Sequence, residues 1–337
     1  SDLTKQMKIG ASLMIANSPE EVTAVANEIK FSAQSSGPVL QNVEDTRLAK
    51  LIYRIMDDED AARTIGVGVG AYHHSIIDRE MSYDENRTRE NLAAQYQSVA
   101  ATETFLRNIA HQRHDDKYGD AKDQYDERKQ SVDRAVDMVS AVTALGVGVL
   151  TVPWTPMGVA LATGGAEVGA SVLGPVVADA VTGKKPEPPA AEASEGEPSS
   201  YGMLHMRAYS DAAKYNLLDE RSVEKAKAEG VLIDGEGNPI EPPLLVDDKG
   251  NPVSVDDKGN PVPPTDGEGK PVQVHVSDNL KEYVQSANSW ANDVRKANKG
   301  EQADATVEMI HSRIGDGVNH AGVWVSDHFG GSSSLKE

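Results

Sequence analysis

Cysteine is absent from this chain, which excludes disulfides, thiolate metal sites and cysteine nucleophiles while leaving the redox compartment open. A basic surface is missing as well: 33 Lys and Arg stand against 53 Asp and Glu, a net charge of −20, and no basic run interrupts the acidic excess. That balance removes the electrostatic footprint expected of a nucleic-acid partner or of attraction to anionic lipid. Familiar catalytic patterns are lacking too, with no Gly-x-Ser-x-Gly elbow, no His-Glu-x-x-His and no complete nucleotide loop. Gly66-Val67-Gly68-Val69-Gly70 carries some of the glycine spacing of a phosphate loop, yet no strand leads into it, no Lys-Ser/Thr follows and a helical period runs through it. The chain is therefore expected to be no enzyme, with no cofactor, no metal and no small-molecule substrate. Ser1 to Glu21 lacks the continuous apolar core and cleavage site of a signal peptide, so export would use a signal elsewhere or one read from folded structure.

Against this acidic background one stretch stands apart. From Met138 to Ala166 the chain carries no charge, although 26% of its residues are charged. Such a segment has to be sheltered from water. Pro153, Trp154, Thr155 and Pro156 split it, because each proline removes a backbone donor and forces the preceding residue into extended geometry. Residues 138–182 thus read as a helical hairpin, its first arm running from Met138 to Val152. Ser140, Ala144 and Gly148 recur every four residues on the first arm, and Gly158, Ala162, Ala166, Ala170 and Gly174 do so on the second. At helical spacing these form smooth stripes that let two backbones approach closely. Pro153, Trp154, Pro156 and the stripe residues are the candidate helix-packing or membrane-insertion positions. The first arm is shorter than the roughly 20 apolar residues a spanning helix needs, and Glu167 sits near the middle of the second. A pair buried in protein, or one that inserts conditionally, fits better than a permanent transmembrane hairpin.

The remaining text is mostly helical in period. Residues 2–16 read as one helix, and Ser18-Pro19-Glu20-Glu21 starts another with a cap, a proline at the first helical position and an acidic partner three residues on. Leu48, Leu51, Ile52 and Ile55 mark the next face, followed by Ile65, Val69, Tyr72 and Ile76. Two long charged helices cover Glu85 to about His114, with Leu92, Tyr96, Val99, Leu106 and Ile109 inward, and Asp120 to Val152, with Val132, Val136 and Val139 inward. Arg128, Lys129 and Asp133 belong to a solvated face in this reading. His111 and His114, three apart and followed by Asp115 and Asp116, could share a helical face as metal ligands; a polar helix terminus is the simpler reading.

Past Gly183 the composition changes to the Pro-, Glu- and Ser-rich run Lys184 to Ser200, which has too little apolar content to pack. Residues 202–229 return to helix. Between 231 and 276 an Asp-x-x-Gly-(Asn/Lys)-Pro-(Ile/Val) unit recurs from Asp234, Asp247, Asp256 and Asp266. It reads as a turn module in which Asp bonds backbone, Gly takes a left-handed conformation and Pro sends the chain out extended. The calcium order of an EF-hand loop is not met. A helix follows from the Ser277 cap, and a final one carries Val307, Ile310 and Ile314 ahead of a Gly-rich tail holding His320 and His328.

The sequence therefore predicts a mainly α chain: a helical bundle around a Gly/Ala-rich hydrophobic hairpin, with a small β-turn-repeat region. Its parts are a helical domain over 1–183, a flexible linker over 184–200, a helical segment over 201–230, the turn repeats over 231–276, C-terminal helices over 277–330 and a disordered tail over 331–337. The stretch from Met206 to Leu232 with the Asp-x-x-Gly-Asn-Pro turn after it, together with the Gly/Ala/Pro-rich hairpin, resembles actinobacterial proteins tied to type VII (WXG-type) secretion and polymorphic toxins. None of the three tryptophans is followed by x-Gly, so the signature that gives the WXG group its name is not present. The resemblance implies a secreted or cell-surface helical protein. The expected role is that of a structural or interaction protein with a protein partner or self-association, and the alternative is conditional membrane insertion through residues 138–182. In architecture, though in no motif, the alternative resembles pore-forming colicins.

Overall fold

The computed structural model describes residues 2–31, 43–119, 122–146, 199–240, 245–247, 251, 267–269, 274–276, 280–296 and 300–329. Among these the protein is mainly helical, and its helices pack as a bundle. Helix α1 spans Lys5–Ala16, α2 Pro19–Phe31, α3 Val43–Ile55, α4 Glu59–Met81 and α5 Arg89–Tyr118. They are followed by α6 (Lys122–Val136), α7 (Met138–Leu145), α8 (Ser199–Lys214), α9 (Glu220–Glu229), α10 (Leu280–Arg295) and α11 (Ala305–Phe329).

Of residues 138–182, expected at the centre of the bundle, only 138–146 are described, and the organising element among the described residues is α5. Its 30 residues reach roughly 45 Å at 1.5 Å per residue. The inward face read from the sequence is buried along its length, with Leu92, Val99, Leu106 and Ile109 fully enclosed. Burial extends past that face to Gln97, Thr102 and Glu103, because α2, α3, α4, α6, α7, α8 and α11 all pack against this helix. Helices from both sides of the 184–200 run thereby share one core.

Local chemistry explains most of the boundaries. Thr4, Asp58, Thr88 and Asp219 cap α1, α4, α5 and α9 by accepting from the amides of Met7, Ala61, Asn91 and Ser222. The helical stretch over 202–229 holds two helices, α8 and α9, parted where Asn216 adopts a φ of 55° and Asp219 opens the new helix. Of the expected first arm of the hairpin, residues 138–146 are described. Asp137 separates α6 from α7, and α7 ends at Leu145, with Gly146 at φ 76°, well before Pro153. Residues 147–182 lie outside the described residues.

The last helix, α11, runs through the glycines that read as a tail, and through His320 and His328, to Phe329, inside the 277–330 bounds given to the C-terminal helices. Gly317 explains this: a Cβ there would lie 2.5 Å from the Gln97 carbonyl and 3.0 Å from the Ala101 amide of α5. A Cβ at Gly315 would meet nothing within 4 Å, whereas Gly317 is a point of close packing. The glycines of α4 act in the same way, Gly68 against Ala16 of α1 and Gly66 and Gly70 against the backbone of α6 and α7. The helical reading of that run holds.

The turn repeat is visible in its first copy. Asp234 Oδ1 accepts from the amides of Glu236 and Asn238 at 3.0 and 2.8 Å, Gly237 has a φ of 94°, and Ile233 bridges Pro239. Gly269, at the matching position of the last copy, has a φ of 77°. The strand β1 (Leu245–Asp247), which follows the first copy, pairs antiparallel with β2 (Val274–Val276), which follows the last, Leu245 opposite Val276. Asp247, which opens the second copy, is the last residue of β1, while Asp256, Asp266 and Ser277 lie outside the described residues.

Candidate functional site: a polar clamp on the start of the apolar segment

Eight residues of the apolar stretch form α7, and every one is buried. Two of the candidate packing residues, Ser140 and Ala144, are among them. Gly148, Pro153, Trp154, Pro156, Gly158, Ala162, Ala166, Ala170 and Gly174 lie outside the described residues. The Ser140 and Ala144 positions touch neighbouring helices through polar atoms, a role the small-residue stripe did not announce.

At the start of α7, α5 supplies Glu103 and Arg107, one helical turn apart. Glu103 is fully buried and receives the Ser140 hydroxyl. Arg107 donates to Glu103 at 3.2 Å, to Asp137 at the α6–α7 junction and to the Tyr201 hydroxyl of α8 at 2.9 Å. It also stands 4.0 Å from Asp133 of α6, which bonds His111. Thr104 completes the set through Tyr201. Asp133 is thus turned toward α5, not placed on a solvated face; Arg128 is exposed and lies over the Tyr118 ring.

At the other end of α7 the last carbonyls meet cations or donors from outside the helix. His74 Nδ1 is 2.9 Å from the Thr143 carbonyl, which can only accept, so this nitrogen carries the proton. Arg207 of α8 donates to the Ala144 carbonyl at 3.5 Å and pairs with Asp211 at 3.3 Å and Asp78 at 3.5 Å. Tyr96 of α5 donates to the other oxygen of Asp211 at 2.6 Å. A cation at a helix C-terminus is favoured by the helix dipole. Both ends of α7 are therefore gripped by neighbouring helices.

Electrostatics in this clamp follow from burial. Loss of solvent raises Glu103 to about 7; Asp137 adds to that while Arg107 and the Ser140 hydroxyl oppose it. Burial pulls Arg107 down, but the charges of Glu103, Tyr201, Asp137 and Asp133 outweigh it and hold the guanidinium above its usual value. Tyr201 is pushed up to about 12, mainly by burial. Asp211 is raised by burial against the pull of Arg207 and the Tyr96 hydroxyl.

His111 and His114 are not brought together as ligands. His111 bonds Asp133, Asp115 takes the Tyr125 hydroxyl and Asp116 takes that of Tyr53 at 2.5 Å, while His114 is buried against the Tyr118 ring. Among the described residues no group of three His, Asp or Glu could hold a metal. A cleft of about 520 Å³ opens where the starts of α5, α9 and α11 meet, lined by Thr88, Asp219 and Asp304 among others. Those three side chains are engaged as caps: Asp304 takes the amides of Thr306 and Val307 and, through its second oxygen, that of Asp219.

Sequence reasoning missed the clamp, although one signal was available: Glu103 is the one charged residue from Leu92 to Leu106, in a run that includes Ala100, Ala101, Phe105 and Leu106 of an inward helix face. Among the described residues no helix is long and apolar enough to cross a membrane. No curated protein and no solved structure matches the chain. The profile of DUF6571 matches residues 1–320, so the chain belongs to this family of unknown function.

Proposed function

We propose that this is a non-enzymatic helical interaction protein whose bundle holds the beginning of the apolar segment as a fixed base and offers the segment to a protein partner or to a second copy. The supporting observation is the grip on α7: buried throughout, it is tied through Ser140 and Asp137 at one end and through the Thr143 and Ala144 carbonyls at the other. A helix that leaves the bundle readily has no use for such ties. The resemblance to type VII secretion-associated and toxin-related proteins supports a place in an exported assembly. The test is liposome flotation and dye leakage between pH 7.5 and 5. Neither binding nor leakage is expected, and leakage at any pH in that range overturns the reading.

A second reading, insertion in acid, is favoured by His73 and His205. Both are buried, and burial pulls both down to about 3, so acid must either leave them neutral or open their surroundings. They lie on α4 and α8, two helices that pack against α7. Leakage that begins only below about pH 6 would support it.

A further inference from the structure

We propose that Glu103 is a reversible proton-binding site whose occupancy sets how firmly α7 is held against α5. The inference goes beyond the interaction role above and does not depend on it. It stands on the arrangement of charges. Glu103 is fully buried, and Arg107, the cation that meets it, is shared with Asp137 and Asp133. Among the described residues, the groups around the carboxyl and its guanidinium include Arg107 and Thr104 on α5 itself, with His111 a turn further along; Asp133 on α6; Asp137 at the junction; Ser140 on α7; and Tyr201 on α8. Three carboxylates meet one guanidinium, and of the three only Glu103 is fully enclosed, Asp137 and Asp133 keeping 23% and 34% of their side-chain exposure. The deepest of the three is the one that solvent helps least, so it is the one that takes the proton.

Protonation then changes the partners without emptying the site. A neutral Glu103 keeps its contact with Ser140, where its own O–H can donate, and it releases its claim on Arg107. The guanidinium is left to Asp137 and Asp133, which secure the α6–α7 junction. Ionised, Glu103 competes for the same guanidinium. The carboxyl, raised to about 7 from an ordinary 4.5 chiefly by burial, stays protonated in the folded chain over a range in which the unfolded chain has already lost the proton. Folding therefore takes up a proton between those two values, stability from this group falls as pH rises through the window, and it levels off above about 7.

The experiment is carboxyl NMR on the full chain labelled with 13Cδ-glutamate, together with denaturant unfolding of wild type and E103Q from pH 5 to 8.5. One glutamate resonance should titrate with a midpoint near 7 and be missing from E103Q. The folding equilibrium constant of wild type relative to E103Q should fall by up to about tenfold per pH unit between pH 5.5 and 7. Using the ratio cancels the buried histidines, whose effect has the opposite sign. If E103Q does not fold, S140A keeps the carboxyl while removing a hydroxyl that favours its ionised form, so the midpoint should move up. A wild-type protein in which every glutamate titrates near 4.5, or a wild-type to E103Q ratio that is flat across the range, overturns the proposal.

Discussion

Adding a single methyl group at Gly70 separates helix propensity from packing. On an open helix surface Gly→Ala is stabilising by about 1 kcal/mol, because alanine loses less backbone freedom on folding. At Gly70 the added Cβ would lie 2.8 Å from the Val139 carbonyl oxygen, 2.8 Å from the Val142 Cβ and 3.0 Å from the Met138 carbonyl oxygen. Two of these are backbone atoms of α7, which cannot turn aside as a side-chain end would. Relief requires α7 to move away by roughly half an ångström, and its end ties resist: the His74 contact with the Thr143 carbonyl and the Ser140 contact with Glu103 each contribute about 1 kcal/mol. Overpacking of this kind costs about 1–3 kcal/mol, and the held position of α7 puts Gly70 near the top of that range. Subtracting the propensity gain leaves a net loss of about 2 kcal/mol for G70A. Gly10 of α1 is the control, since a Cβ there meets nothing within 4 Å, and G10A should gain about 0.5–1 kcal/mol. Urea unfolding followed by circular dichroism reads both as shifts in midpoint at unchanged slope. If G70A is as stable as wild type while G10A shows its gain, the close approach of α4 and α7 is wrong.

Three further outcomes are expected. Truncation by R107A leaves Glu103, Asp137 and Asp133 without their shared cation and should destabilise by about 3–5 kcal/mol in the same unfolding assay; a change below 1 kcal/mol would show that the clamp is solvated. For His73 and His205 the folded value, about 3, lies below the ordinary 6.5, so their stabilisation is complete above pH 6.5 and declines as pH falls toward 3. Acid unfolding followed by circular dichroism should shift to lower pH in the H73Q/H205Q double variant, and an unmoved transition would refute the burial of these rings. D234A removes the acceptor of two amides in an exposed turn; hydrogen exchange should speed up at Glu236 and Asn238 with no change in global unfolding, and retained protection would mean the turn is held by other bonds.

The legible part of this fold is the part governed by periodicity. Leu92, Val99, Leu106 and Ile109, or Val284, Ala287, Ala291 and Val294, are buried as their spacing requires, since a 3.6-residue period admits one inward face. Glycine was read correctly within α4, where a helical period runs through Gly66, Gly68 and Gly70, and less well in α7 and α11. Glycine reads as a breaker from propensity alone, yet Gly317 sits mid-helix because α5 presses against its Cα, while Gly146 ends α7 in the positive-φ region. Which residues press on a glycine depends on a partner distant in the chain. The same distance hid the clamp: Glu103 and Arg107 are four apart and readable as a pair, but Asp137, Ser140 and Tyr201 join them only through the packing of α7 and α8 on α5. Asp133 shows the converse error, an acid assigned to water because its neighbours in sequence are charged, while its neighbour in space is His111.

The two side chains that seize the last carbonyls of α7 come from different helices, His74 from α4 and Arg207 from α8. Tension applied to the chain past Gly146 would accordingly travel sideways into α4 and α8 instead of peeling α7 away turn by turn. Helix α7 is thereby moored to helices that are themselves packed against α5.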